Sequence, residues 1–122
     1  MTSEELKQRT KMFAYQCVNL AVQLPETTLG RHVRGQLIRC STSVAANYRA
    51  ACLAQSRPSF IAKVSICVEE ADESDFWLTL AYDMKLHSIE PLSPMMKEAK
   101  ELTSILNASR KTAARAHESG QR

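Results

Sequence analysis

The chain has 122 residues, 44% of them hydrophobic and 24% charged, with a formal net charge of +3 and an isoelectric point near 8.8. That is the balance of one ordinary globular domain, residues 1–122, and it excludes a disordered chain. No apolar run approaches the ~20 residues that span a bilayer, and so mild a charge excess does not by itself establish nucleic-acid binding.

The opening segment MTSEELKQRTK is too polar for the apolar stretch of a secretory signal, so a cytoplasmic location is expected. From Ser3 onward, Leu6, Thr10, Phe13, Cys17, Leu20 and Leu24 recur at steps of three and four, the spacing of one apolar stripe on a helix over about residues 4–23. Thr2 and Glu5 are placed to form its capping box, and Pro25 stops it.

Thr27 or Thr28 caps a second helix, about residues 28–54. Steps of about 100° per residue place Leu29, Val33, Leu37, Cys40, Val44, Tyr48 and Ala51 on one face, with Arg31, Arg34, Arg39 and Arg49 on the other. Two readings of the arginines stand: forked donors for phosphate contact, or a solvated face that pairs with carboxylates of a neighbouring helix. Gly30 and Gly35 each cost about 1 kcal/mol against alanine in a helix. A close helix approach compensates for that, and for Gly30 a later helix start explains it equally well.

Ser56 and Pro58 provide a cap and a first-turn proline for a third helix, about residues 57–87. Phe60, Val64, Cys67, Val68, Ala71, Leu78 and Tyr82 form one apolar face, and Ile66, Trp77, Leu80 and Met84 form a second. A helix apolar on two sides needs two partners. The second stripe therefore predicts an oligomer interface with Trp77 as its anchor, the alternative being an irregular bundle with this helix near its middle.

The segment SIEPLSP reads as the clearest break, with Ser93 and Pro94 opening a fourth helix over about residues 94–116 and fraying from about residue 108. Short links between long amphipathic helices predict an all-α, antiparallel up-and-down four-helix bundle. Charge runs basic, acidic, basic along it: +4 over residues 1–56, −4 over 57–90 and +3 over 91–122.

Catalytic chemistry is not expected. The four cysteines, Cys17, Cys40, Cys52 and Cys67, form no CxxC pair and read as packing thiols rather than as disulfides or zinc ligands. Glu69, Glu70, Asp72, Glu73 and Asp75 cluster on helix 3, but no Glu-x-x-His motif accompanies them, so a solvated or salt-bridged stretch is expected rather than a metal site. No phosphate-binding glycine loop occurs, and no cofactor is implied. Asn47 and Asp75 fall at or within core faces and are expected to be buried polar groups with partners inside the bundle.

Leu24-Pro25 before helix 2, the run Ser43-Val44-Ala45-Ala46-Asn47 at its centre, Ser56 and Phe60 at the turn, and Glu73 ahead of Trp77-Leu78 form a pattern from about Leu24 to Tyr82. It resembles the four-helix-bundle family of S23, or 23S rRNA intervening-sequence, proteins. The resemblance implies a ring-like homopentamer without enzymatic activity. A related accessory protein of diversity-generating retroelements binds reverse transcriptase and nucleic acid through a basic surface. Many members have a Glu-Gly pair soon after the central asparagine, whereas Arg49-Ala50-Ala51 stands here and makes helix 2 more basic. The expected function is thus a non-enzymatic oligomeric adaptor that contacts RNA, DNA or a nucleoprotein partner through Arg31, Arg34, Arg39 and Arg49. The alternative is a protein-binding scaffold or accessory subunit.

Overall fold

The computed structural model describes residues 1–120, which form four α-helices: α1 Ser3–Ala21, α2 Thr28–Cys52, α3 Arg57–Asp83 and α4 Ile89–Gly120. Local chemistry explains most of the boundaries. The Thr2 hydroxyl accepts from the Glu5 amide at 3.1 Å while Glu5 Oε1 accepts from the Thr2 amide at 3.2 Å, closing the capping box expected for α1. Thr27 and Ser56 cap α2 and α3 through the amides of Gly30 and Ser59.

The helices pack in a cycle, each against its sequence neighbours and α4 back against α1. Contacts between them run in opposite directions along the chain: Cys40 meets Ser74 and Cys67 meets Val44, Asp75 meets Lys100, and Arg57 lies beside Gly120. Neighbouring helices are therefore antiparallel, as short links require. The α1·α4 seam is the loosest of the four. It is clamped by Arg9, which donates to both Glu98 oxygens at 2.7 Å and to Glu101 at 2.9 Å.

Phe13 is the largest fully buried side chain, in one core with Cys17, Leu37, Val64, Leu78, Leu92 and Leu102. Ala14, Ala21, Ala51, Ala71, Ala81 and Ala99 let the helices approach one another. The buried hydroxyls of Thr10 and Ser74 donate back to Lys7 and Glu70 carbonyls, so they remain satisfied without leaving the core. The Ser41 hydroxyl makes no hydrogen bond of ordinary geometry, and the Cys17 thiol is the polar group on which it acts.

Several boundaries differ from the sequence expectation. α4 begins at Ile89 rather than at Pro94, which lies inside it. Pro91 sits within the first turn, where no amide donor is needed, while Pro94 removes the donor that would meet the Glu90 carbonyl. Burial of Leu92 and Met95 holds the extra turn in place. Residues 108–120, expected to fray, continue α4 alongside the start of α3, with Ala113, Ala114 and His117 partly covered. α3 ends at Asp83 rather than near His87: the Lys85 amide bonds to the Tyr82 carbonyl and the Leu86 amide to the Ala81 carbonyl, with Lys85 at φ 57°. That is a Schellman cap, built on lysine where glycine is usual.

Gly30 is buried, and a Cβ there would stand 2.0 Å from the Pro25 carbonyl oxygen, whereas a Cβ on Gly35 meets nothing within 4 Å. The first glycine is required by the α1–α2 turn; the second is not. Gly30→Ala is expected to destabilise the fold by about 1–3 kcal/mol as an overpacking change, and Gly35→Ala to stabilise it by up to about 1 kcal/mol. Lys85→Gly is expected to add about 1 kcal/mol by relieving the left-handed backbone. Denaturant titrations of the three variants check these signs.

Candidate nucleic-acid interface

The four arginines of α2 do not form one surface. Arg34 reaches back over the end of α1, donating to the Leu24 carbonyl at 2.7 Å and the Ala21 carbonyl at 3.3 Å and pairing with Glu26 at 2.6 Å. It is a C-cap for α1, satisfying carbonyls that the helix end leaves open. Arg39 lies on the α3 side, bound to Glu70 at 2.9 Å and to Glu73. Arg31 is exposed and donates to the Glu26 carbonyl at 3.1 Å. Arg49 is exposed at the far end of the helix, beside α1. The geometry thus splits the two readings of the basic face: Arg34 and Arg39 are structural, while Arg31 and Arg49 face solvent five turns apart.

Arg49 instead joins residues of α1. Lys7, Lys11 and Tyr15, spaced i, i+4, i+8, line one wall of a groove between α1 and α2, with Arg49 and Thr42 on the opposite wall and Ala14, Ala45 and Ala46 forming the floor. The groove has a volume of ≈ 350 Å³. Lys11 Nζ stands 5.5 Å from the centre of the Tyr15 ring, and Tyr15 is 57% exposed. In the sequence, the arginines of α2 have no aromatic interleaved with them on their face. The α1 part was visible there as a period-four row, but its pairing with Arg49 requires the fold.

The acidic helix is partly neutralised by its neighbours. Glu70 and Glu73 hold Arg39, and Asp75 holds Lys100 of α4 at 2.9 Å while accepting from Thr79 at 3.4 Å. Asp75 is therefore a partly exposed seam residue, not a core charge, because stepping at 100° places it one position off the buried line through Ala71, Ser74 and Leu78. Asn47 is likewise only partly buried and donates to the Ser43 carbonyl and hydroxyl of its own helix, at 3.0 and 2.9 Å, so it bridges no other helix. The fully buried polar residues are Thr10, Ser41 and Ser74.

The expected second face of α3 is present but differently composed. Met84 is 58% exposed and Ile66 37%, and Leu80 is partly buried against the core. Trp77 is not a protruding anchor: it covers the α2·α3 seam, its indole N–H donating to Glu73 at 3.0 Å and its ring edge-on to His32 at 5.4 Å. The outward aromatic is Phe76, 57% exposed, whose ring meets Trp77 edge-on at 5.0 Å. Phe76, Leu80 and Met84 border a depression shared with Asp72, Asp75, Thr79 and Asp83.

No group of three or more His, Cys, Asp or Glu is arranged to hold a metal among the described residues. Burial pushes the Cys17 and Cys67 thiols up to about 12 and raises that of Cys40, which makes them poor nucleophiles. All four cysteines are unpaired thiols. No helix among the described residues is long and apolar enough to cross a membrane.

The model of the 23S rRNA-intervening sequence protein family matches residues 3–108. Among solved structures, the chain is similar to a protein of unknown function from the S23 ribosomal protein family of Bacteroides thetaiotaomicron VPI-5482. The two share 30% sequence identity and a TM-score of 0.80, over 91% of this chain and 99% of that one. No curated protein matches.

Glu73 lies below its ordinary carboxylate value of 4.5, held there first by the Trp77 indole N–H and then by Arg39. A carboxyl depressed in the fold stabilises it above the unfolded value, and that contribution is lost as pH falls through the lower folded value. Trp77 is the sole tryptophan. Its emission is expected to titrate with a midpoint below 4.5, and Glu73→Gln is expected to abolish the step. Fluorescence across the acid range checks both.

Proposed function

The chain belongs to the 23S rRNA-intervening sequence protein family, and from that premise we propose that it is a non-catalytic, self-assembling protein that binds nucleic acid through the α1–α2 face. The observation that carries the reading is where positive charge is left unspent. Arg9, Arg34, Arg39 and Lys100 are committed to carboxylates within the bundle. Lys11 and Arg49 line the same groove free of any acidic lining residue, joined by Lys7, whose partner Glu4 is on its own helix. Cations that are not neutralised internally are the ones available to displace counterions from a phosphate chain.

Self-assembly is supported by the outer strip of α3, where Phe76 and Met84 are more than half exposed with Leu80 between them. An exposed apolar strip edged by acids fits a protein surface better than a phosphate chain. Joining copies through α3 leaves the α1–α2 face open on each copy, so that weak phosphate contacts add across the assembly. A ring of five copies is the form this assembly takes in our reading, in the cytoplasm, without a cofactor.

Binding of labelled RNA and DNA oligonucleotides is expected at about 50 mM salt and is expected to weaken about tenfold or more by about 200 mM, as a few phosphate contacts per chain predict. Absence of binding to either at the lower salt overturns the reading. Phe76→Asp is expected to shift the sedimenting species to a monomer without unfolding it. A mass unchanged by Phe76→Asp and Met84→Asp together removes the α3 strip as the assembly surface.

A further inference from the structure

The α1–α2 groove has more than charge. Basic side chains alone attract any polyanion, duplex or single-stranded. This groove also exposes one broad aromatic face: Tyr15 is 57% open to solvent on the same wall as Lys7 and Lys11, with the Lys11 ammonium 5.5 Å from the centre of its ring. An aromatic of that size left in water on a helix surface has no role in the core, whose buried line on α1 runs through Phe13, Ala14 and Cys17. The floor is made of Ala14, Ala45 and Ala46, side chains too small to fill the space between the helices, which leaves an opening of ≈ 350 Å³ next to the ring. Across the opening stand Arg49, a forked donor, and Thr42, whose hydroxyl is turned to the Ile38 carbonyl at 2.6 Å.

Other depressions lack this combination. That between α1 and α4 is lined by Gln16, Asn19, Gln23 and Glu98 without a lysine or arginine, and that along α3 contains Asp72, Asp75 and Asp83. A single strand has what the α1–α2 groove complements: unpaired bases with exposed π-faces and a phosphate chain alongside. A duplex presents its phosphates but keeps its bases stacked inside.

We infer that the groove formed by Lys7, Lys11, Tyr15 and Arg49 is a single-stranded nucleic-acid site, in which an unpaired base stacks on Tyr15 while Lys7, Lys11 and Arg49 hold the flanking phosphates. The inference rests on the proposed nucleic-acid function and specifies its ligand. Stacking on an aromatic does not distinguish the four bases, so the site is tolerant of sequence.

The test is fluorescence anisotropy with a labelled 12-nucleotide RNA, the DNA strand of the same sequence, and the blunt duplex of each. The wild-type chain is compared with Tyr15→Ala, Tyr15→Phe and Arg49→Ala, all checked for folding by circular dichroism and for mass by sedimentation. Single strands are expected to bind at least tenfold tighter than duplexes. Tyr15→Ala is expected to weaken single-strand binding about five- to hundredfold, the loss of one stacked base, with little effect on duplex, while Tyr15→Phe retains binding because the π-face remains. Arg49→Ala is expected to weaken both and lower the salt dependence. Equal affinity for single strand and duplex, or single-strand binding indifferent to Tyr15→Ala, overturns the groove while leaving the broader nucleic-acid function standing. No binding to any of the four probes overturns both. A change in sedimenting mass in Tyr15→Ala or Arg49→Ala identifies the groove as a contact between copies and overturns the inference in that way.

Discussion

α3 is the helix on which the arrangement depends, because it combines apolar residues around most of its circumference with the largest share of the chain's acids, six of thirteen. Val64, Cys67, Ala71, Leu78 and Ala81 need a core on one side, while Phe76, Leu80 and Met84 occupy the other. Being apolar and acidic together, α3 is best covered by elements that bring both hydrophobic surface and cations. α2 and α4 do so, flanking it and inserting Arg39 and Lys100 against Glu70, Glu73 and Asp75.

The electrostatic character of the rest of the surface follows from that neutralisation. Each cation used against α3, at the α1 C-terminus or across the α1·α4 seam is withdrawn from solution, so the charge of the exposed face cannot be obtained by counting residues. Arg9 is an example: its guanidinium is held in its charged form chiefly by the hydrogen bond to Glu98, and it fastens α1 to α4 where apolar packing is thinnest. Lys11 and Arg49 are left along the α1–α2 groove, with Lys7 paired only to Glu4 of its own helix. One end product of a mildly basic composition is thus a surface with separate basic and apolar-acidic sides, suited to different partners.

The interior is built mainly of leucine, valine and alanine around Phe13, with thiols and hydroxyls set among them. Cys17 and Cys40 lie next to Ser41 and Ser74, a layer of side chains of similar size in which Ser74 donates to the Glu70 carbonyl and lies 3.2 Å from Cys40. Such residues allow close approach of helices and tolerate burial because a hydroxyl on a helix can satisfy itself on the preceding turn. Asn47 uses the same device through Ser43. Buried hydroxyls here satisfy themselves within a helix, Ser74 and Cys67 also reach across to α2, and the charged links between helices are the ion pairs at the seams.

Much of the fold was legible because it is local. The three-and-four spacing of apolar residues, the caps at Thr2, Thr27 and Ser56 and the stop at Pro25 act within a few residues, and each determines a helix and its buried side without knowledge of the neighbours. Local rules misplaced the start of α4, since Ser93-Pro94 has the form of a helix start but the packing of Leu92 holds an earlier turn. They also placed Asp75 inside the core and Trp77 outside it, because a helical wheel gives an angle and not the identity of what lies at that angle. The arginines of α2 show the division most clearly. Their common outward face follows from spacing alone, whereas the fate of each was decided by residues 31 and 34 positions away for Arg39 and 10 and 13 away for Arg34. By itself the sequence determined four helices, their buried faces and the kinship they express. Only the tertiary structure decided which charges remain for a partner, because an ion pair depends on where two distant side chains are brought together.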